Sequence, residues 1–459
     1  VKRVLVLAYF FPPLGGGGCQ RTLKLVRYLE PHGWSASVIT TKDEDYWILD
    51  RSLLEEVPPS TEVTRVGGLT SLRLLRLLGR GGRTASALQE KQGARDRATF
   101  RRLRSLQSWV LVPDGYLPWA RAAERAALDR LAAGGVDALW TTSSPESAHL
   151  AGLGVKRRHP ALPWVADFRD PWVGRVTYAP PTPWHAARHE ALERAVVSAA
   201  DRVTVVSEPM ADLYRARYRD LPAGRFEVLP NGVDSDDWSR ADALLASATR
   251  PGDRASGGAV DAGKFVILHA GQLAHRPTAR TLLDAARRVV EADPSAREEL
   301  RLRFLGGNEE LASSDWTRRG LDGIVEIVPS KPHLEAMAAM RRAQVLVLLG
   351  HGGEADGLLY TGKIYEYATS GRPVIGIVDP GPAASLLSEM KAGPVLRSAD
   401  VEGAAAAIRE GLAAWRTLGR TGPPPPPSPP APLAGSWERR NLAQKAAQIL
   451  ENLPSGPHR

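Results

Sequence analysis

Lys363 and Glu366 stand three residues apart in the stretch Glu354–Ile377, EADGLLYTGKIYEYATSGRPVIGI, and at that spacing they share one face of a helix. The stretch follows the apolar run Ala343–Leu349, which reads as a buried parallel strand, and a short helix is predicted over Gly362–Ser370. Gly371 then ends the helix, and Arg372-Pro373 leads into a strand at Val374–Val378. A helix start aimed beyond a strand's carboxyl end gathers unpaired N–H groups and binds anions. There the Lys363 ammonium can meet phosphate, and the Glu366 carboxylate, one turn in, can accept hydrogen bonds from vicinal ribose hydroxyls. The same two residues also suit an ordinary solvated pair, so the choice rests on the rest of the chain.

Other groups repeat this plan. Gly271 opens a turn after the strand Lys264–Ala270, and Arg276 stands just before the helix Thr278–Ala292. Gly15–Gly18 separate the strand Val4–Phe10 from the helix Gln20–Leu29, which carries Arg21 in its first turn. This is neither a dinucleotide fingerprint nor a P-loop, but its position lets backbone amides approach a ligand. His149 falls one turn into a helix started by Ser144-Pro145, beyond the strand Val136–Thr142. Asp167-Phe168-Arg169-Asp170-Pro171-Trp172 follows the strand Pro163–Phe168 and suits a substrate pocket; equally, Arg169 can pair with Asp167 or Asp170 to hold the loop. Pro329-Ser330, after the strand Ile324–Val328, offers backbone groups to a nucleobase edge. Asp234-Ser235-Asp236 imitates a metal-binding D-x-D, yet it adjoins the turn pair Asn231-Gly232 and is discounted.

The elements that must position these residues alternate strand and helix in two successive runs, which implies two doubly wound α/β units. A polar, Ala/Gly-rich connector over Ser239–Gly263 separates them, Gly422–Pro432 reads as an extended proline-rich spacer, and Trp437–Leu450 as a final amphipathic helix. At 459 residues, 43% hydrophobic and 24% charged, the chain is ordinary globular material of two or three domains. Lys2-Arg3 followed by Val4–Phe11 imitates a signal peptide but runs into Pro12-Pro13 and four glycines, so a first strand explains it better. The single cysteine, Cys19, excludes an internal disulfide and fits a reducing cytoplasm. The net charge of +9 and pI near 9.7 raise nucleic acid or an anionic membrane as partners. No nucleic-acid module is recognisable. Arg95–Arg104, RDRATFRRLR, reads either as a solvated face or as a membrane-surface helix with Phe100 and Leu103 opposite the arginines.

Taken in order, these pieces resemble family 4 of the glycosyltransferases, retaining enzymes of the GT-B fold. The carriers are Phe11-Pro12-Pro13 with Gly15–Gly18 and Arg21, Ser143-Ser144-Pro145 with His149, and Asp167–Trp172. Further on come Pro230-Asn231-Gly232-Val233-Asp234, Gly271 with Arg276-Pro277, and Gly362-Lys363-Ile364-Tyr365-Glu366-Tyr367-Ala368 followed by Ser370–Ile375. The resemblance implies two Rossmann-like domains facing across a cleft: an acceptor domain over 1–235, a donor domain over 236–420, a spacer over 421–433, and a last helix in 434–459 crossing back onto the first domain. It implies a nucleotide diphospho-sugar donor held by Gly16, Gly17, Gly271, Gln272, Val328, Pro329, Gly362, Ile364 and Glu366, with His149, Arg276 and Lys363 at the reacting centre and no metal or other cofactor. Arg21, Asp167, Arg169 and Trp119 are the acceptor-side candidates; the acceptor itself stays open among a glycan, a lipid-linked molecule and a small natural product. Many members carry a glutamate eight residues before the position of Glu366, where this chain has Leu358. Either Glu354 or Asp356 replaces it, or the sugar is recognised through the backbone around Leu359, Tyr360, Thr361 and Gly362. The implied reaction is transfer of a sugar to a hydroxyl with retention of configuration, in the cytoplasm or at the inner face of the membrane. The alternatives are a sugar-nucleotide epimerase of the same fold, which needs paired acids in its cleft, and a non-catalytic nucleotide-sugar-binding protein.

Overall fold

The computed structural model describes residues 1–42, 49–68, 109–175, 178–247, 263–273, 277–306, 313–358, 362–420 and 435–454. Arg276, residues 359–361, the basic sequence around Arg95–Arg104 and the proline-rich sequence 422–432 lie outside them. The chain divides into two compact units, one of Val1–Asn231 with Arg439–Arg459 and one of Gly232–Glu438. No helix among the described residues is long and apolar enough to cross a membrane.

Unit 1 is a parallel sheet in the order β3-β2-β1-β4-β5-β6-β7. Its strands are β1 (Lys2–Leu7), β2 (Trp34–Thr41), β3 (Glu62–Val66), β4 (Ala138–Thr142), β5 (Trp164–Phe168), β6 (Arg202–Val205) and β7 (Phe226–Val228). The order reverses between β1 and β4, so their carboxyl ends open a crevice where ligands of such sheets bind. Helix α1 (Gly17–Leu29) begins three residues earlier than Gln20, because the last two glycines of the turn are helical. The sequence reading passed over β3, whose residues are at most half-buried and lie at the sheet edge. The other helices are α2 (Leu117–Ala132), α3 (Ser147–Arg158), α4 (Pro183–Ala199) and α5 (Glu208–Arg217).

Unit 2 repeats the plan in the order β10-β9-β8-β11-β12-β13, reversing between β8 and β11. The strands are β8 (Phe265–Ala270), β9 (Leu300–Leu305), β10 (Val325–Val328), β11 (Val345–Leu349), β12 (Val374–Ile377) and β13 (Val395–Leu396). Alternate residues face opposite ways. Phe265, Ile267, Val345, Val347 and Leu349 enter one core, and Val266, Leu268, Leu346 and Leu348 enter the other. The helices are α6 (Ser235–Ser247), α7 (Thr278–Ala292), α8 (His333–Arg342), α9 (Lys363–Thr369), α10 (Pro382–Glu389) and α11 (Val401–Thr417). The start of the expected connector is therefore corrected: residues up to Ser247 are helical, with Trp238 and Ala241 buried against β8 and α8 in the second core.

The last helix, α12 (Arg439–Glu451), belongs to unit 1 and lies against α1. Leu442, Ala446, Ile449 and Leu450 enter the same core as Val4, Val6 and Val26, and Trp34 Nε1 donates to Glu451 at 2.8 Å. Burying each of the larger side chains stabilises by about 1.5–3 kcal/mol. Ile449→Ala should therefore lower the stability of unit 1 by about 2–5 kcal/mol in urea unfolding; a loss under about 0.5 kcal/mol would show that α12 is not part of this core.

Candidate functional site

The switch point of unit 2 is built on glycine. After β8 the chain turns at Gly271, whose φ is +150°, and its N–H donates to the Leu305 carbonyl at 2.6 Å. Gly306, at φ +110°, ends β9 beside it and donates to the Val328 carbonyl at 3.0 Å. The Lys363 side chain lies on this turn: a Cβ at Gly271 would fall 2.9 Å from its Cε and 3.0 Å from its Nζ. Tyr367, one turn further along α9, holds the helix there, its hydroxyl accepting from the Ala270 N–H at 2.7 Å. Ile364 and Tyr365 anchor the same helix in the core. Gly362 caps α9, and Glu366 points from its first turn, half-buried, its carboxylate without a hydrogen-bond or ion-pair partner among the described residues. Thus the structure gathers Gly271, Gly362, Lys363 and Glu366 around one helix start. Gln272 is exposed beside Gly271, and Val328 and the exposed Pro329 end β10.

The two candidate acids for the donor sugar separate. Asp356 is buried, and its carboxylate accepts the N–H groups of His351 at 2.7 Å, Gly352 at 3.2 Å and Asp379 at 2.8 Å. Asp379 in turn accepts from the Gly353 N–H at 2.6 Å and from Ser398 N–H and Oγ at 3.0 and 2.6 Å. Burial pushes the Asp379 carboxyl up, but the bonds from Ser398 and Gly353 outweigh it and hold the group below its ordinary range. The expectation that Asp356 touches a sugar is corrected: it spends its lone pairs fixing the loop after β11. Glu354 is exposed, its carboxylate without a partner among the described residues.

In unit 1 most candidates serve as struts. Arg21 grips Asp167 through two bonds, at 2.7 and 3.0 Å, and donates further to the Leu229 and Pro230 carbonyls, each at 2.8 Å. Asp167 also accepts from Thr142 and Thr204 at 2.8 and 2.7 Å. Burial alone raises the Asp167 carboxyl, yet the Arg21 guanidinium and these bonds bring it below its usual range. Both residues are buried and fully engaged, so neither offers a group to an acceptor. Arg169 donates to the carbonyls of Ser143, Ser144 and Gly18, tying the turns after β1 and β4 together. Trp119 is completely buried, edge-on to Tyr9. These four acceptor expectations are corrected: the Arg21, Asp167 and Arg169 groups are bonded inside the unit, and the Trp119 side chain is wholly buried, its Nε1 without a partner. Gly16, at φ +88°, and Gly17 leave open space at the start of α1.

His149 is buried. Its Nδ1 pairs with Thr141 Oγ1 at 2.7 Å, its ring stacks on Phe168, and its Nε2 has no protein partner. Burial pulls its pKa down to about 3.

Sequence reasoning missed two groups behind these loops. Glu193 of α4 accepts from the Val173 N–H, from the hydroxyls of Tyr214 and Tyr218 and from Arg217, and so fixes the loop after β5. Asp114 accepts the N–H groups of Tyr116 and Ser147, and burial, with Glu146 nearby, pushes its carboxyl up to about 6. A glutamate three residues before the buried pair Val196-Val197 was the available signal for the first; Asp114 carried none.

The two sheets of one strand order, each with a glycine turn at its switch point, define the class as the GT-B fold. Solved structures share it over nearly the whole chain. A trehalose-phosphate synthase from Burkholderia xenovorans, in complex with glucose-6-phosphate, matches at 11% identity with a TM-score of 0.62, over 98% of this chain and 100% of that one. WaaG, a glycosyltransferase of lipopolysaccharide biosynthesis, matches at TM-score 0.58 and 15% identity over 98% of this chain and 100% of that one. Residues 77–237 match the family model Glycosyltransferase Family 4. A D-inositol 3-phosphate glycosyltransferase 1 from Catenulispora acidiphila is 31% identical over 193 residues, 40% of this chain and 42% of that protein. One from Geodermatophilus obscurus is 28% identical over 228 residues, 48% and 47% of the two chains. These matches make the chain similar to glycosyltransferase family 4 over less than half of its length. The matches span less than half the length of these curated relatives.

The depressed pKa of His149 has a stability consequence. The folded protein resists a proton that the unfolded chain accepts near pH 6.5, so this contribution is present at high pH and is lost as pH falls from there toward 3. Between pH 7 and pH 5 the wild type should lose about 2 kcal/mol more stability than His149→Phe. Parallel pH profiles in urea unfolding would show instead that His149 is not buried neutral.

Proposed function

We propose that this chain transfers a sugar from a nucleotide diphospho-sugar to an acceptor hydroxyl, with retention of configuration and without a metal ion. The observation that carries the reading is the switch point of unit 2, where the Lys363 side chain lies on bare Gly271 and an unpartnered Glu366 follows one turn later. A diphosphate laid on that turn meets an ammonium, the backbone N–H groups of a helix start and, in the loop outside the described residues, Arg276. Glu366 accepts the ribose hydroxyls, and Glu354 is the acid left available to the sugar. Similarity to glycosyltransferase family 4 over residues 77–237 supports transfer rather than epimerisation, and among the described acids Asp167 is buried and Asp356 is held by backbone N–H groups.

Chemistry then requires little of the protein beyond position and charge. As the glycosyl–oxygen bond breaks, negative charge grows on the leaving diphosphate; Lys363 and Arg276 stabilise it more than they stabilise the ground state. The acceptor approaches from the face the diphosphate leaves, and its proton passes to a diphosphate oxygen, so no protein base is needed. His149, buried and neutral, keeps an Nε2 with no protein partner.

In calorimetry, Glu366→Ala should weaken nucleoside diphosphate binding by about ten- to a hundredfold, the worth of one or two charge-assisted hydrogen bonds. Unchanged affinity in a folded variant removes Glu366 from the site. Lys363→Met should lower kcat by about a hundred- to a thousandfold, by analogy with loss of an oxyanion-stabilising donor, and affinity for the donor by less. Equal losses in both would mean that the lysine only binds the ground state.

A further inference from the structure

We propose that Trp437 and Trp238 are positioning residues for nucleotide binding: together they clamp α9, the helix that carries Lys363 and Glu366, and affinity depends on the clamp. The inference rests on the reading of Lys363 and Glu366 as donor-binding groups. Helix α9 is seven residues long, about two turns. A helix that short keeps no fixed direction by itself, so its orientation comes from what grips it. Tyr365 stands between Lys363 and Glu366 in its first turn, and a shift of that residue moves both.

Two tryptophans distant in sequence converge on Tyr365. Trp238, buried in α6, donates from Nε1 to Thr369 Oγ1 at 3.0 Å, and the Thr369 hydroxyl donates in turn to the Tyr365 carbonyl at 2.7 Å. The half-buried Trp437 ring lies edge-on to the Tyr365 ring, with centroids 5.4 Å apart. Arg341 of α8 closes the far end. Its guanidinium lies over the Trp238 ring, 4.4 Å from the centroid, and donates to the Ser370 carbonyl just past the last residue of α9. What an indole supplies that an aliphatic side chain does not, an N–H donor and a π face, is thus spent on Thr369, Arg341 and Tyr365.

The two indoles are also tied to each other. The chain enters unit 2 at Gly232 and leaves it after Glu438, and each tryptophan belongs to one of these end segments. The segments are bonded side by side: the Val233 N–H donates to the Trp437 carbonyl at 3.0 Å, and the Ser235 N–H to the Glu438 carboxylate at 3.3 Å. The clamp is therefore one assembly made from both ends of the unit, and α9 is the element it closes on. Loosening either indole releases Tyr365, and with it the lysine and the glutamate on either side.

Titration calorimetry with uridine, guanosine, adenosine and thymidine diphosphates and their parent nucleosides tests this on the folded full chain. Trp437→Ala should weaken nucleoside and diphosphate alike by about three- to tenfold, because Lys363 and Glu366 move together, and Trp437→Phe should restore most of the loss. Trp238→Phe, which keeps a ring and removes the Nε1 donor, should weaken both by about three- to tenfold. Ile449→Ala, whose lost packing lies in unit 1, controls for destabilisation and should bind as the wild type does. Hydrogen exchange of the α9 amides should be faster in ligand-free Trp437→Ala than in the wild type. Wild-type affinity or wild-type α9 exchange in Trp437→Ala, or an equal loss of affinity in Ile449→Ala, would overturn the clamp and leave the donor reading in place. A wild type that binds none of these diphosphates would overturn the donor reading itself, and the clamp with it.

Discussion

A lysine side chain can lie across the end of a β-strand only if nothing projects from the backbone beneath it. In this protein that condition is met at Gly271, where a single added carbon would fall within 3.0 Å of the Lys363 ammonium. The contact binds two requirements together. The strand must turn through a φ of +150°, and the helix carrying the lysine must be pinned to the strand end, which Tyr367 does through the Ala270 N–H. Everything proposed for the donor follows from that placement, because it sets a cation and a helix start on the turn with Glu366 in the first turn of the same helix.

The polar groups of the two switch points divide into those that build and those that remain to bind. Arg21, Asp167, Arg169, Glu193 and Asp356 are builders: each has neighbours that absorb its hydrogen bonds, and each fixes a loop or joins elements within its unit. A buried pair such as Arg21–Asp167 contributes little net stability over an apolar substitute, yet removal of one partner leaves a costly buried charge. That asymmetry leaves the Glu366 and Glu354 carboxylates as groups still open to an external partner, while His149 Nε2 is buried without one.

Much of the fold was legible because parallel strands write themselves as Val, Ile and Leu runs, in β8 and β11 followed directly by glycine. The lysine–glutamate spacing and the glycine cap of α9 likewise declared a helix start. Three things were not legible. An edge strand such as β3, half-buried and interrupted by charge, has no apolar run to betray it. The exposed stretch around Leu244 in α6 read as a connector because the helix is anchored mainly at its start, by Trp238 and Ala241 packing in unit 2. Most instructive, the same residue types serve as strut and as site. Asp167 became a strut because hydroxyl and guanidinium donors distant in sequence converge on it, and Asp356 because the Asp379 N–H joins two local ones, and a one-dimensional pattern carries no record of that convergence.

The central claim, that the bare turn at Gly271 and the lysine above it grip a diphosphate, is tested most directly by the affinity gained on adding two phosphates to a nucleoside. Titration calorimetry on the wild type and on Gly271→Ala should give a large gain for the former. The variant should lose that gain, because its methyl group displaces Lys363, while keeping the affinity for the nucleoside itself. A folded Gly271→Ala chain that retained the full diphosphate gain would contradict the account.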